Sequence, residues 1–333
     1  MKPPTVNRDT KRTIDRRLEA PVRRADGFLH RRIDVGDVRL HVAEARPRLP
    51  NGMTADGTQE VDADVPLVVL MHGFPEFWWS WRHQLQAFAD AGVWAVAPDM
   101  RGYNESDKPA GVSSYEVEPL ADDIKGLVHA LGRESAVIVG HDWGGMVAWI
   151  VAQRHPSLVS RLAILNCPHP DQMLRGLMRP KQLRKSWYMF FFQLPAGVPE
   201  RLIAKDDWAY LRKTLASDGF PPDEIDPYVH AMATPGAITA AMSYYRAAIR
   251  RTLKGRPPRA ARIECPALVI WGDRDRHLGK EMAEASPRLV PKARVEHIPE
   301  ATHWVQNSAP EKVNRLLLGF VQHEGPISSR RLA

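Results

Sequence analysis

Four five-residue runs, Leu67–Met71, Trp94–Pro98, Ala136–Gly140 and Ala267–Trp271, are almost wholly apolar, and helix-like stretches lie between them. A strand wetted on one face alternates apolar and polar residues, whereas a strand apolar throughout has both faces covered. Buried strands separated by helices predict a mostly parallel sheet sandwiched between helical layers. Arg161–Asn166 and Arg294–Ile298 read as two more strands, and Leu29–Val35 and Val38–Ala43 flank Gly36-Asp37 as a hairpin. The expected fold class is α/β, with a sheet of about eight strands. Helices are expected near Pro119–Leu131, Gly144–His155 and Pro310–Gln322.

Between Pro168 and about Pro258 this rhythm stops. Ser186–Gln193, Arg201–Ala204, Asp207–Leu215 and Ile238–Arg250 look helical, with no buried strand among them. Such a stretch between two sheet strands reads as a cap. The expected organisation is a basic flexible arm at 1–26, a first core segment at 27–168, a helical cap at 169–258, a second core segment at 259–323 and a tail at 324–333. Arg46–Asp64, rich in Pro, Gly, Asn and Asp, reads as a long exposed loop.

The net charge of +7 over 333 residues hints at nucleic acid, but its distribution argues otherwise. Residues 1–32 hold ten of the 46 Lys/Arg and four of the 39 Asp/Glu, so six of the seven net charges sit in the arm. That arm lacks interleaved aromatics and any binding motif, which favours a solvated or self-packed segment over nucleic acid. Peripheral membrane contact through it is the less favoured reading. No apolar run approaches the roughly 18 residues of a membrane-spanning helix, and Met1-Lys2-Pro3-Pro4 opens no secretory signal. Cys167 and Cys265 are isolated, so neither a disulfide framework nor a zinc site is expected. These features fit a cytoplasmic protein with no metal and no cofactor, and they leave a homodimer open.

The chemistry is carried by Gly140-His141-Asp142-Trp143-Gly144-Gly145, where an apolar strand breaks into a helix. Small residues around one reactive side chain have the layout of a nucleophile elbow, with aspartate where serine is usual. A carboxylate is already ionised, and it suits displacement at a saturated carbon whose leaving group is an epoxide oxygen or a halide. The plainer alternative is a helix N-cap, a position that Asp favours. Two groups after later strands complete a catalytic set: Asp275 in Trp271-Gly272-Asp273-Arg274-Asp275, and His303 in Thr302-His303-Trp304. Nucleophile, acid, histidine is the chain order of α/β hydrolases. A histidine with an ordinary pKa near 6.5 can take a proton from water, and a carboxylate on its other nitrogen fixes the tautomer. Asp273 competes with Asp275 as the acid, and both have a reading as turn residues. In His72-Gly73-Phe74-Pro75, the Phe74 N–H is expected to form an oxyanion hole with that of Trp143.

His72-Gly73-Phe74-Pro75-Glu76, the aspartate elbow, Trp271-Gly272-Asp273-Arg274-Asp275 and Thr302-His303-Trp304 together resemble the soluble epoxide hydrolases of the α/β-hydrolase superfamily, over about residues 27–322. The resemblance implies a small hydrophobic epoxide and water as substrates. Asp142 would open the ring to an ester, which water activated by His303 and Asp275 would hydrolyse to a diol. It also implies two cap tyrosines that protonate the epoxide oxygen. Tyr245 matches the second. Phe191 stands where the first is expected, a departure; Tyr188 is a candidate replacement or substrate contact, although its plainer reading as a packing residue is favoured. Phe191, Pro75 and Trp304 are expected to line the substrate pocket. Two alternatives share the aspartate: a haloalkane or haloacid dehalogenase, and a non-catalytic ligand-binding member of the fold.

Overall fold

The computed structural model describes residues 23–47, 61–256, 261–284 and 288–322. The arm up to residue 22, the tail and most of the expected exposed loop lie outside the described residues. Among the described residues nine strands form one sheet: β1 Arg23–Ala25, β2 Phe28–Asp34, β3 Arg39–Ala45, β4 Leu67–Met71, β5 Trp94–Pro98, β6 Ala136–His141, β7 Val159–Leu165, β8 Ala267–Gly272 and β9 Ala293–Ile298. Their order is β1-β2-β3-β5-β4-β6-β7-β8-β9. The eight expected strands are all present. The ninth, β1, pairs antiparallel with β2 through Arg24↔Leu29, so the end of the basic arm is an edge strand and not flexible chain. From β5 to β9 the neighbours run parallel. Every residue of β4, β5, β6 and β8 is buried, as the apolar runs require.

Helices cover both faces: α1 Arg82–Asp90, α2 Val117–Ala130, α3 Trp143–Arg154, then α4 Pro170–Leu177, α5 Pro180–Lys185, α6 Trp187–Phe191, α7 Val198–Ser217, α8 Pro222–Ala233 and α9 Ala237–Leu253, and finally α10 Val305–Ser308 and α11 Pro310–Gln322. α11 buries Val313, Leu317, Phe320 and Val321, a single stripe at helical spacing. α3 is apolar nearly all round because it follows the central strand β6 and buries nine of its twelve residues, with Arg154 exposed at its end.

α4 to α9 occupy the stretch between β7 and β8, where sheet signals fail. Left-handed backbone at Asp206, Asp207 and Trp208 kinks α7. α9 seats this insertion on the core: the Tyr244 hydroxyl donates to the Arg101 carbonyl at 2.7 Å, and its ring packs edge-on against Trp143 at 5.5 Å. Among the described residues, no helix is long and apolar enough to cross a membrane.

The registers Met71↔Gly140, Gly140↔Ile164 and Leu165↔Ile270 keep the C-terminal ends of the central strands level. Open α/β sheets place their sites at that edge.

Candidate active site

Asp142 follows β6 directly and precedes α3, with φ 50° and ψ −118°. That strained turn is the elbow conformation, and it lifts the side chain off the sheet edge. The carboxylate caps no helix N–H. Instead Oδ1 accepts from the Phe74 N–H at 2.9 Å, so the N-cap alternative fails. Close backbone approach holds the elbow down. A Cβ on Gly144 would stand 2.2 Å from the Met71 carbonyl oxygen, and one on Gly73 would stand 2.4 Å from Asp142 Cβ and Oδ1. The Phe74–Pro75 peptide is cis.

Asp275 and His303 arrive from the loops after β8 and β9. His303 Nδ1 and Asp275 Oδ2 are 2.7 Å apart, and His303 Nε2 lies 3.7 Å from Asp142 Oδ2. The imidazole thus stands between two carboxylates. Asp275 Oδ1 accepts from the N–H groups of His277 and Leu278, and Asn166 Nδ2 donates to Oδ2 at 2.8 Å. Asn166 Oδ1 in turn accepts from the Gly272 N–H, locking the acid's loop to β7. Asp273 points elsewhere and contacts His297 Nδ1 at 2.6 Å.

Burial disfavours the protonated form of His303. The charges of Asp275 and Asp142, and the hydrogen bond to Asp275, outweigh that and hold its pKa well above the ordinary value. Burial likewise works against ionised Asp275, but His303 and the backbone donors bring its pKa down to about 2. Asp142 is also held below the usual carboxylate range, His303 and the Phe74 N–H overcoming its burial.

Behind the elbow a second polar group fixes the loop bearing Phe74. Glu76, fully buried, accepts from the Gly73 N–H, the Ser80 hydroxyl and the Gln306 amide. His141 links the Glu76 carboxyl at 2.7 Å to the His303 carbonyl oxygen at 2.9 Å. A buried carboxylate so satisfied makes a rigid anchor.

Two cavities meet at Asp142. The larger, about 300 Å³, runs beneath α4 and α9 and is lined largely by apolar side chains. The smaller, about 50 Å³, is bounded by Pro75, His277, His303 and Trp304. Asp142, Tyr188 and Tyr245 border both. The Tyr188 and Tyr245 rings meet edge-on at 5.8 Å. Burial chiefly, and then the Asp142 charge, push both phenols well above their ordinary pKa, so both hold their protons.

Of the expected pocket residues, Pro75 and Trp304 do line a cavity. Phe191 does not: it lines neither. The reason is helical phase. Residues four apart share a face, and in α6 Tyr188 and Phe192 both turn toward Tyr245, whereas Phe191 pairs with the exposed Trp187 at 5.9 Å. Tyr188 therefore occupies the space in which Phe191 had been expected. Sequence reasoning missed His277, Asn166 and Phe192. His277 sits with its ring 5.1 Å from that of His303, and burial lowers its pKa to about 4. No spacing singles it out among thirteen histidines.

The profile of the alpha/beta hydrolase fold matches residues 66–310. Human epoxide hydrolase 4 is 35% identical over 270 residues, covering 78% of this chain and 73% of the relative. The chain belongs to the epoxide hydrolases of the α/β-hydrolase superfamily. An AB hydrolase superfamily protein of Bacillus subtilis is 38% identical over 279 residues, 82% of this chain and 96% of that one. The crystal structure of Bacillus megaterium epoxide hydrolase in complex with an inhibitor superposes with a TM-score of 0.77 at 29% identity, covering 88% of this chain and 100% of that one. As a member of this family the chain is an enzyme, a hydrolase of the class that acts on ether bonds.

Proposed function

We propose that this epoxide hydrolase converts a hydrophobic epoxide to a vicinal diol through an ester on Asp142. The observation that carries the reading is the carboxylate of Asp142, tied by Oδ1 to the Phe74 N–H and facing His303 with Oδ2, under two protonated phenols. In the first step Asp142 attacks one ring carbon, the carbon–oxygen bond breaks, and the negative charge passes to the epoxide oxygen. Tyr188 or Tyr245 gives that oxygen its proton. A phenol is a sensible acid for so basic a leaving group.

Once Asp142 is esterified, His303 passes its resting proton to the phenolate; in the second step it takes a proton from water, and the hydroxide attacks the Asp142 carbonyl carbon. The tetrahedral oxyanion is held by the N–H groups of Phe74 and Trp143, a contribution of about 3–4 kcal/mol per donor. Collapse releases the diol oxygen, which takes the proton left on the Asp142 carboxyl. His303 keeps the proton taken from water, as in the resting protein. One water is consumed, and the enzyme is restored.

The epoxide hydrolase relatives favour this reading over the dehalogenase and binding alternatives. So do the two phenols, because a departing halide needs no proton. The test uses racemic aryl and alkyl epoxides with purified protein. Diol should form, Asp142→Ala should abolish it, and His303→Gln should accumulate an ester seen as added mass on Asp142. Failure of the wild type across a broad epoxide panel would sink the proposal.

A further inference from the structure

The larger cavity opens between α4, α6 and the end of α9, and its outer wall includes Leu177, Phe190 and Leu253. Around this mouth the protein exposes large apolar side chains that a soluble surface ordinarily keeps apart. Met178 is 85% exposed, Leu253 82%, Phe190 53% and Trp187 52%, and Leu183 is also exposed. They sit on consecutive helices of the insertion and at the end of α9.

The same stretch is one-signed. Residues 172–199 contain Arg175, Arg179, Lys181, Arg184 and Lys185 and no Asp or Glu. Lys185 turns inward to the carbonyls of Asp275 and Leu278, and Arg175 pairs with Asp171. Arg179, Lys181 and Arg184 are exposed, and no ion pair is found for them among the described residues. Across the mouth, exposed Arg250 and Lys254 flank Leu253. Glu116, which borders the same cavity, and Glu118 are engaged by Arg251.

We infer that this face docks on an anionic lipid surface and draws its epoxide from the lipid phase. Trp, Phe and Leu side chains interspersed with Lys and Arg are what a segment lying in a bilayer interface presents. The cations meet lipid headgroups while the apolar tips enter the acyl boundary. A second copy of this chain is a poorer occupant, since a two-fold contact sets the same patch against itself and places like charges together. Lipid also explains why the patch rims an opening: an apolar substrate would pass from bilayer to cavity without crossing water. Substrate delivery rests on the proposed function, but docking does not.

The test uses the full chain, sedimented with vesicles of phosphatidylcholine alone or with 30% phosphatidylserine. The bound fraction should rise at least tenfold with the anionic lipid and fall with added salt. Arg179→Glu/Lys181→Glu/Arg184→Glu and Met178→Ser/Trp187→Ser should each reduce binding at least fivefold. Both should hydrolyse a small water-soluble epoxide like wild type, which also shows that they fold. No vesicle binding by the wild type would overturn the inference. Binding untouched by both variants would also overturn it, because a segment elsewhere, such as the basic arm, would then be responsible. Concentration-dependent dimerisation lost in Met178→Ser/Trp187→Ser, without lipid binding, would assign the face to a second copy instead. A protein that binds vesicles yet hydrolyses no epoxide would sink the proposed function and leave the docking surface intact.

Discussion

Asp142 Oδ2 and His303 Nε2 stand 3.7 Å apart, longer than a hydrogen bond but well within the range over which buried charges hold one another. In the resting protein Asp275 chiefly, and Asp142 with it, keep a proton on His303. In the proposed reaction, esterification would neutralise Asp142 and remove one of those two anions. The imidazole then becomes a willing base only after the first step has occurred. The pKa of His303, followed by NMR, should lie above 6.5 in the free protein. The pH profile of ester hydrolysis in single turnover should report a lower value. Equal values would show that the Asp142 charge does not gate the base.

The two loop carboxylates should separate cleanly. Asp275 contacts His303 at 2.7 Å, whereas Asp273 contacts His297. Asp275→Asn should slow ester hydrolysis by about 10³–10⁴ and accumulate the ester, because the amide selects the wrong tautomer. Asp273→Asn should leave hydrolysis within about twofold, as an exposed pair contributes little. Rapid-quench measurement of the acyl mass tells them apart.

Tyr188→Phe and Tyr245→Phe should each slow ring opening by about 10–100-fold, a share of the 10²–10⁴ that a positioned acid supplies. The double variant should fall further than either single one, with ester hydrolysis little changed. Phe191→Tyr on the Tyr188→Phe background should restore nothing, since residue 191 faces away from the cavity. Single-turnover rates of ester formation would decide, and rescue by Phe191→Tyr would contradict the helical phase of α6.

Gly73→Ala should be nearly inactive. The added methyl would lie 2.4 Å from Asp142 Cβ and Oδ1, forcing the carboxylate off the Phe74 N–H. Strain of this kind costs about 1–3 kcal/mol. A modest drop in melting temperature with loss of ester formation is expected, and normal turnover would refute the close approach.

Acid stability should carry the mark of His277. Its pKa is lowered to about 4 in the folded protein, so the unfolded chain binds its proton first and stability is lost as pH falls from about 6.5 toward 4. Asp275, at about 2, adds a loss of ~2 kcal/mol as pH falls from about 4 toward 2. His303 acts in the opposite sense: its contribution is present at low pH and is lost as pH rises through its raised value. His277→Asn should make the fall in melting temperature between pH 6.5 and 4 shallower, with His169, also lowered to about 4 by burial, carrying part of what remains. An unchanged slope there would remove His277 as the cause.

The sheet and elbow were legible because their signals are local: unbroken apolar strands, small residues at a forced turn, and acid and base immediately after strands. Tyr188 was harder. The family resemblance points to Phe191, but a five-residue helix chooses which face it buries through tertiary packing, and that choice favours positions 188 and 192. Asn166 and His277 act through contacts more than a hundred residues apart in the first case and through the packing of two loops in the second. Neither leaves a periodic trace in the chain. β1 was hidden too, because a three-residue edge strand resembles any polar segment until its partner is known.

In the proposed reaction the groups around the reacting carbon come from two bodies of structure: Asp142, His303 and Asp275 from the sheet edge, and Tyr188 and Tyr245 from α6 and α9 of the insertion. Ring opening needs both bodies in register, whereas cleavage of the ester needs only the sheet. A chain whose insertion drifted would still discharge an ester already formed but would start few new ones. Commitment to substrate is thus decided by the seating of the insertion, and evolution can retune which epoxides are accepted without touching the groups that handle water.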